Sequence, residues 1–442
     1  MAVDVLLGLQ WGDEGKGKIV DVLAPRYAVI ARFQGGPNAG HTLEFNGIKQ
    51  VLHQIPSGIF HEHIINIIGN GVVLDATVLI KKEVADLVAK GLQPHRNLYI
   101  SKKAQLIIPT HTLLDKASEN AKGPNKIGST LKGIGPAYQD KMARRGLRVG
   151  DIYFHDFYKK YQVLKGEHLK LLNHINFEIE SDSISLTQME AEFFESIEEL
   201  RKFKIIDSEY VLNDFIRNNK SILAEGAQGA LLDIDFGSYP YVTSSTTMCA
   251  GACTGLGIAP KYIREVYGIF KAYCTRVGEG PFPTEIFGDE ADRLRKRGSE
   301  YGSTTGRPRR CGWLDLPALK YAIMINGVTQ LLMMKADVLS DYDELHVCTK
   351  YCLSDGTFTE NLPFDLANHR ITPFYEKIKG WKCEIEHIHD YKELPIALKN
   401  YINFIENHTG TTMTIISVGP DRNQTIFKNA TQVQSIFQSF TK

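Results

Sequence analysis

The opening stretch, Val3 to Val20, constrains this chain most. Val3 to Leu9 is a short apolar run of the kind a buried strand uses, and it breaks into a loop carrying Gly8, Gly12, Gly15 and Gly17 with Asp13, Lys16 and Lys18. Ile19, Val20, Val22 and Leu23 then begin an apolar helical face. Strand, glycine-rich loop, helix is the layout of a phosphate cradle: glycines let backbone N–H groups approach an anion, the helix N-terminus adds its dipole, and a lysine adds charge. Gly12, four residues, then Gly17-Lys18 matches the first part of the nucleoside-triphosphate loop, but Ile19 stands where Ser or Thr would hold magnesium. A metal here needs another oxygen, and Asp13 is the nearest candidate. Taken alone, the stretch also fits a glycine-rich turn with solvated lysines.

At 442 residues the chain can bury a large core. Fifty-one basic residues balance 51 acidic ones, so no global field draws it to nucleic acid or to an anionic membrane. Any basic site must be local. The N-terminus enters the first strand without a charged leader, and no apolar run reaches the roughly eighteen residues needed to cross a bilayer. A cytoplasmic enzyme is the expectation. Seven cysteines in so long a chain argue against a disulfide framework. Cys249 and Cys253, and Cys348 and Cys352, read as packed thiols rather than as halves of a zinc site.

Strand and helix signals alternate, which predicts an α/β fold with a mostly parallel central sheet flanked by helices. Tyr27–Phe33 reads as a second buried strand and empties into Gln34-Gly35-Gly36-Pro37-Asn38-Ala39-Gly40-His41. Ile64–Ile68 reads as another strand, and Asp75 precedes helical spacing that Gly91 ends. Residues 151–219 are poor in glycine and rich in Lys and Glu, and they read as a mostly helical insertion in one elaborated domain spanning 1–442. Ser221–Ala224 and Gly268–Cys274 read as strands that run into Glu225-Gly226-Ala227-Gln228-Gly229 and a Gly/Pro-rich loop. In an open parallel sheet such loops gather at one edge, where ligands bind. Ile127 to Pro136 and Asp140 to Gly146 supply a hydroxyl-bearing loop and a basic helix end. Ser303-Thr304-Thr305-Gly306-Arg307-Pro308-Arg309-Arg310 concentrates arginine forks suited to carboxylates and phosphates. Gln330–Met334 reads as a strand delivering Lys335-Ala336-Asp337, where the aspartate can accept from the N1–H and amine of guanine. Met413–Ser417 is the last strand, followed by Val418-Gly419-Pro420-Asp421-Arg422.

Together, Gln10–Lys18, Gly35–Thr42, Gly133–Tyr138, Glu225–Gly229, Thr304–Arg310 and Ser417–Arg422 resemble the adenylosuccinate synthetases, in that family's order and over essentially the whole chain. The resemblance implies a sheet related to those of P-loop GTP-binding proteins. It also implies a GTP- and Mg²⁺-dependent ligase of purine biosynthesis that joins IMP to L-aspartate and works as a homodimer. By the same resemblance, Gly12, Asp13, Glu14, Gly15, Lys16, Gly17 and Lys18, with Gly40, His41, Thr42 and Arg309, would hold GTP. Lys335, Ala336, Asp337, Ser417, Val418 and Gly419 would hold its guanine. Asp13 would be the base at purine N1, and Asp13 and the Gly40 carbonyl would ligate one Mg²⁺. His41 would be the acid, with Lys16 and Gln228 as further catalytic groups. Asp13, Glu14, Gly15, Lys16, Asn38, Ala39, Gly40, His41, Thr130, Gln228, Thr243 and Arg307 would fix IMP, and Arg144 would reach it from the partner subunit. Ser303, Thr304, Thr305, Gly306, Arg307, Pro308 and Arg309 would close on aspartate. The family often has arginine where Lys132 stands here.

The residue types suit such chemistry. Oxygen at C6 of a purine is a poor leaving group until it is phosphorylated, which calls for a base at N1 and a clamp on the phosphoryl group. A GTP-dependent switch or assembly protein would share the phosphate loop but not need the arginine loop. An ATP-using kinase or ligase would conflict with Asp337, which should repel the ring nitrogen of adenine.

Overall fold

The computed structural model describes residues 3–45, 47–123, 126–178, 185–302, 306–368 and 370–428. Strand β1 (Val3–Gly8) is buried at every position because both of its faces are covered. Val3, Val5 and Leu7 enter one core, while Leu6 enters the opposite one beside Ile19, Val20 and Leu23 of helix α1 (Lys16–Leu23). The other strands of the central sheet are β2 (Val29–Arg32), β3 (Ile65–Ile68), β4 (Leu98–Ser101), β5 (Lys204–Ile206), β6 (Ile222–Glu225), β7 (Ile263–Lys271), β8 (Gln330–Met334), β9 (Met413–Ser417) and β10 (Thr425–Phe427). Their order across the sheet is β10-β9-β8-β7-β1-β6-β2-β3-β4-β5. Every pairing is parallel except β9 with β10. The α/β architecture with a mostly parallel sheet is therefore the observed one.

Several boundaries differ from the sequence reading. The strand expected from Tyr27 begins at Val29, because Ala24–Arg26 makes a 3₁₀ turn around Pro25 in which Tyr27 N–H donates to Ala24 O. The strand expected over Gly268–Cys274 is shifted: β7 starts at Ile263 and ends at Lys271. Cys274–Arg276 leaves the sheet and pairs antiparallel with Arg310–Gly312, which draws the arginine loop toward the sheet edge. Asp75 caps its helix by accepting from Val78 N–H at 3.0 Å. Residues 151–219 contain helices α4 (Phe157–His174), α5 (Leu186–Leu200) and α6 (Ser208–Arg217), and they also supply the edge strand β5. Helices α2 (Pro109–Ala121) and α3 (Ile134–Met142) precede them in the chain, and α7 (Cys249–Leu256) follows β6.

Asp4, buried inside β1, is matched by Arg264 at 2.6 Å and by the Tyr27 hydroxyl at 2.6 Å, so the charge enters the core paired. None of the seven cysteines is in a disulfide, and Cys274, Cys311 and Cys348 are buried. Among the described residues no helix is long and apolar enough to cross a membrane.

Helix α7 packs so closely on the end of β2 that a Cβ at Gly255 would lie 2.0 Å from the Phe33 carbonyl oxygen. Gly166, inside α4, has nothing within 4 Å of such a Cβ. Gly255→Ala should therefore cost about 1–3 kcal/mol by overpacking. Gly166→Ala should instead add about 0.5–1 kcal/mol through helix propensity. Denaturant unfolding measures both, and equal effects would show that the α7 contact is not tight.

Candidate functional site

The loops leaving β1, β2, β6, β7, β8 and β9 all exit at the carboxyl edge of the sheet, and there they line one cavity of about 1150 Å³. Its walls include Gly12 through Lys18, Asn38 through Thr42, Thr130, Gln228, Thr243, Arg307, Arg309, Lys335, Asp337, Ser417 and Gly419. Segments far apart in sequence are thus brought together as expected. Of the other expected residues, Ala336 and Val418 are buried behind the wall. Gly306, Pro308 and Arg144 are exposed and do not line it. Ser303, Thr304 and Thr305 lie outside the described residues.

The phosphate-type loop takes its shape from left-handed backbone at Gly12 (φ 86°), Asp13 (φ 60°) and Gly15 (φ 90°). Glu14 folds inward and is buried, its carboxylate accepting from the N–H groups of Gln10 and Gly12 at 3.2 and 2.9 Å and pairing with Lys16 Nζ at 2.5 Å. Glycine at 17 lets α1 close on the next loop, since a Cβ there would sit 2.9 Å from His41 Cβ. Lys18 faces the same cavity from the first turn of α1. Its ammonium turns from the loop toward the segment after β9, donating to Ser417 Oγ and Gly419 O at 2.7 Å and to Gln424 O at 3.0 Å. Burial lowers its pKa to about 7, against the opposing pull of the Asp337, Asp421 and Glu44 carboxylates.

His41 carries the clearest chemical signature. Its Nδ1 lies 2.5 Å from Glu225 Oε1, and Glu225 also accepts from the backbone N–H and hydroxyl of Ser57. Despite burial, His41 and Arg32 keep the Glu225 carboxyl below its ordinary range, so Glu225 is an acceptor and Nδ1 carries the proton. His41 Nε2 is then a bare lone pair, buried and without a partner among the described residues. Burial, then Arg32, push His41 down to about 4 against the pull of Glu225. Asn38 Oδ1, both amide atoms of Gln228 and Asp337 Oδ1 are likewise buried with no partner among the described residues. Each belongs to a residue lining the cavity, where a bound ligand would complete it.

Other groups hold this arrangement in place. Arg309 bridges two carboxylates, Nη2 lying 3.0 Å from Asp13 Oδ1 and Nη1 2.6 Å from Glu300 Oε2. Buried Arg276 donates to Ser238 Oγ, Pro281 O and Tyr241 O and so braces the hydroxyl-rich segment carrying Thr243. On α2, Asp115 accepts from Ser129 Oγ and Gly133 N–H, and Glu119 accepts from Gly128 and Ser129 N–H, which pins the loop bearing Thr130. The sequence reading had assigned roles to none of Glu225, Arg276, Glu300, Asp115 and Glu119. Glu225 stood inside a quoted motif, whereas the other four carried no local pattern that marked them.

A buried trio, His111, Asp140 and His168, is close enough to suggest a metal. Its hydrogen bonds say otherwise. His111 Nδ1 accepts from Ile108 N–H, so its protonated Nε2 donates to Asp140 at 2.8 Å, and His168 approaches the same oxygen at 2.8 Å. Arg145 completes the carboxylate at 2.7 Å.

A sequence profile of the adenylosuccinate synthetase family matches residues 5–426. The chain belongs to that family. Among its relatives, the adenylosuccinate synthetase of Cytophaga hutchinsonii is 60% identical over 97% of this chain and 99% of its own length. That of Flavobacterium psychrophilum is 59% identical over 97% of this chain and 100% of its own. A solved structure of the fully ligated adenylosuccinate synthetase from Plasmodium falciparum superimposes with a TM-score of 0.90 at 38% identity, covering 97% of this chain and 100% of that one. As a member of this family the chain is an IMP–aspartate ligase with GTP as co-substrate and Mg²⁺ as its metal. The reading of the chain as a non-ligase GTP switch is not favoured.

In the ligand-free protein His41 should resist protonation until about pH 4. Glu225→Gln should take the midpoint lower still, because the carboxylate favours the imidazolium. NMR titration of the ring checks both, and a midpoint near the free-histidine value of about 6.5 would contradict the burial argument.

Proposed function

We propose that the cavity residues share the ligation as follows, with the buried, partnerless atoms of His41, Gln228, Asn38 and Asp337 as the observation that carries the assignment. Asp13 takes the N1 proton of IMP. The resulting 6-oxyanion attacks the γ-phosphorus of GTP, the bond to the β-phosphate oxygen breaks, and GDP leaves. The amine of aspartate then adds at C6 of the 6-phosphoryl intermediate and phosphate departs. Phosphorylation turns a poor leaving group into a good one, and a positioned base typically contributes about 10² to 10⁴ in rate.

Asn38, Thr130, Gln228, Thr243 and Arg307 orient IMP, and the unpaired amide of Gln228 is free to bond the purine edge. Lys16 sits beside the phosphoryl group once a ligand competes for its contact with Glu14. His41 enters neutral with Nε2 unprotonated. Negative charge arriving on the phosphoryl oxygens favours a second proton on the ring, and Glu225 stabilises the imidazolium from the other side. Arg307 and Arg309 with residues 303–306 and Pro308 take the carboxylates of aspartate. Lys335, Asp337, Ser417 and Gly419 read guanine, with Asp337 accepting from N1–H and the exocyclic amine. The Asp13 carboxylate and Gly40 carbonyl border the same cavity and are hard oxygen donors, so they fit Mg²⁺, which when bound neutralises phosphate charge.

The homodimer is part of this proposal. Arg144 is exposed at the end of α3 and does not line its own cavity, which suits a guanidinium that reaches IMP in a second copy. A cytoplasmic placement rests on the nucleotide and amino-acid substrates.

Incubation with IMP, aspartate, GTP and Mg²⁺, omitting each in turn, should give the purine absorbance change only when all four are present. In that assay Asp13→Asn should lose about 10²-fold or more in turnover yet still bind GTP. Loss of GTP affinity with turnover preserved would overturn the base assignment. Burial raises Asp337 to about 6, and only its ionised form accepts both guanine donors. The kcat/KM for GTP should therefore fall as pH drops through about 6, while Asp337→Asn should show low kcat/KM without that inflection.

A further inference from the structure

Glu300 precedes the arginine loop and is fully buried. Lys271 Nζ lies 2.9 Å from both of its oxygens, Lys335 Nζ lies 3.1 Å from Oε1, and Arg309 Nη1 lies 2.6 Å from Oε2. The Tyr273 hydroxyl donates to it as well. Burial alone would raise its pKa, but Lys271, Lys335 and Arg309 together hold it well below the usual carboxylate range. Lys271, itself fully buried, neutralises the charge, so two further cations are more than pairing requires. Those two come from different segments. Lys335 opens the guanine-reading turn at the end of β8, and Arg309 continues to Asp13 at 3.0 Å. Lys335, Glu300, Arg309 and Asp13 thus form an unbroken chain of ion pairs that links three residues of the cavity wall through one buried carboxylate.

We propose that Glu300 is a positioning residue for the ligation, holding the lysine of the guanine subsite and the arginine that faces Asp13 in one fixed frame. Without a shared anion the two flexible cationic side chains would repel each other and sample many rotamers. With it, both are placed before substrates arrive, and orientation secured in advance is not charged against binding or the barrier. The inference rests on the roles given above to Asp13, Arg309 and Lys335.

Steady-state kinetics on the full chain test it. Glu300→Gln should raise KM for GTP and for aspartate by about tenfold and lower kcat by a similar factor, while KM for IMP changes by about twofold or less. Because that change leaves Lys271 buried without its anion, the double variant Glu300→Gln/Lys271→Met supplies a charge-balanced fold. It should regain thermal stability and keep the kinetic defects. Glu300→Asp, which retains the charge but is one methylene short, should show the same pattern more weakly. Recovery of the wild-type KM values in the folded double variant together with wild-type kinetics in Glu300→Asp, or equal losses for all three substrates, would reduce Glu300 to a structural role and overturn the proposal. Lys335→Met separates this from the site assignment. If it leaves KM for GTP unchanged, the guanine subsite is misassigned. If it raises that KM while the Glu300 variants do not, only the frame is wrong.

Discussion

A parallel strand cannot return to its neighbour through a tight turn, so each crossover leaves from a carboxyl end and all such ends lie along one edge. With β1 paired parallel to both β6 and β7, this constraint fixes where chemistry can occur. The Gly12–Lys18 loop follows β1, the His41 loop follows β2, the Gln228 turn follows β6, and the Lys335-Ala336-Asp337 turn follows β8. None has to be steered to the others individually. The register of the sheet does so, and apolar packing on both faces holds the register.

Upon that frame sits an unusual density of buried charge. Asp4 with Arg264, Glu14 with Lys16, Glu225 with His41 and Arg32, and Glu300 with three cations each set a buried carboxylate against a basic partner. Such pairs add little net stability compared with apolar packing, but they fix direction, which suits a site that moves a proton and a phosphoryl group. The partnerless polar atoms of His41, Asn38, Gln228 and Asp337 line the cavity and are open to a ligand. His41 shows both states in one ring, with Nδ1 committed to Glu225 and Nε2 uncommitted.

How much of this could be read in advance varied with the range of the interaction. The loop from Gly12 to Lys18 was legible because its glycine spacing is a local pattern. The buried strands were legible because their apolar runs are continuous. Cys274, expected to end a sheet strand, and Thr275-Arg276, expected in the loop after it, pair instead with Arg310–Gly312, a partner more than thirty residues away that no local pattern announces. The antiparallel pair of Glu344–Cys352 with Thr372–Lys379 went unread for a similar reason: the second strand is largely exposed, so its apolar signal is weak. The ammonium of Lys18 also meets three oxygens roughly four hundred positions away, contacts that its place in the motif does not announce.

The sequence by itself determined the fold class, the family and the set of segments that make the cavity, because short apolar periods, glycine placement and motif strings are properties of neighbouring residues. Only the tertiary structure decided which side chains support that set. Glu225, Glu300, Arg276 and Asp115 are ordinary residues in ordinary surroundings until the sheet brings a histidine, an arginine, a carbonyl or an amide within hydrogen-bond reach. Their roles come from desolvation and distance, and neither quantity exists along an unfolded chain.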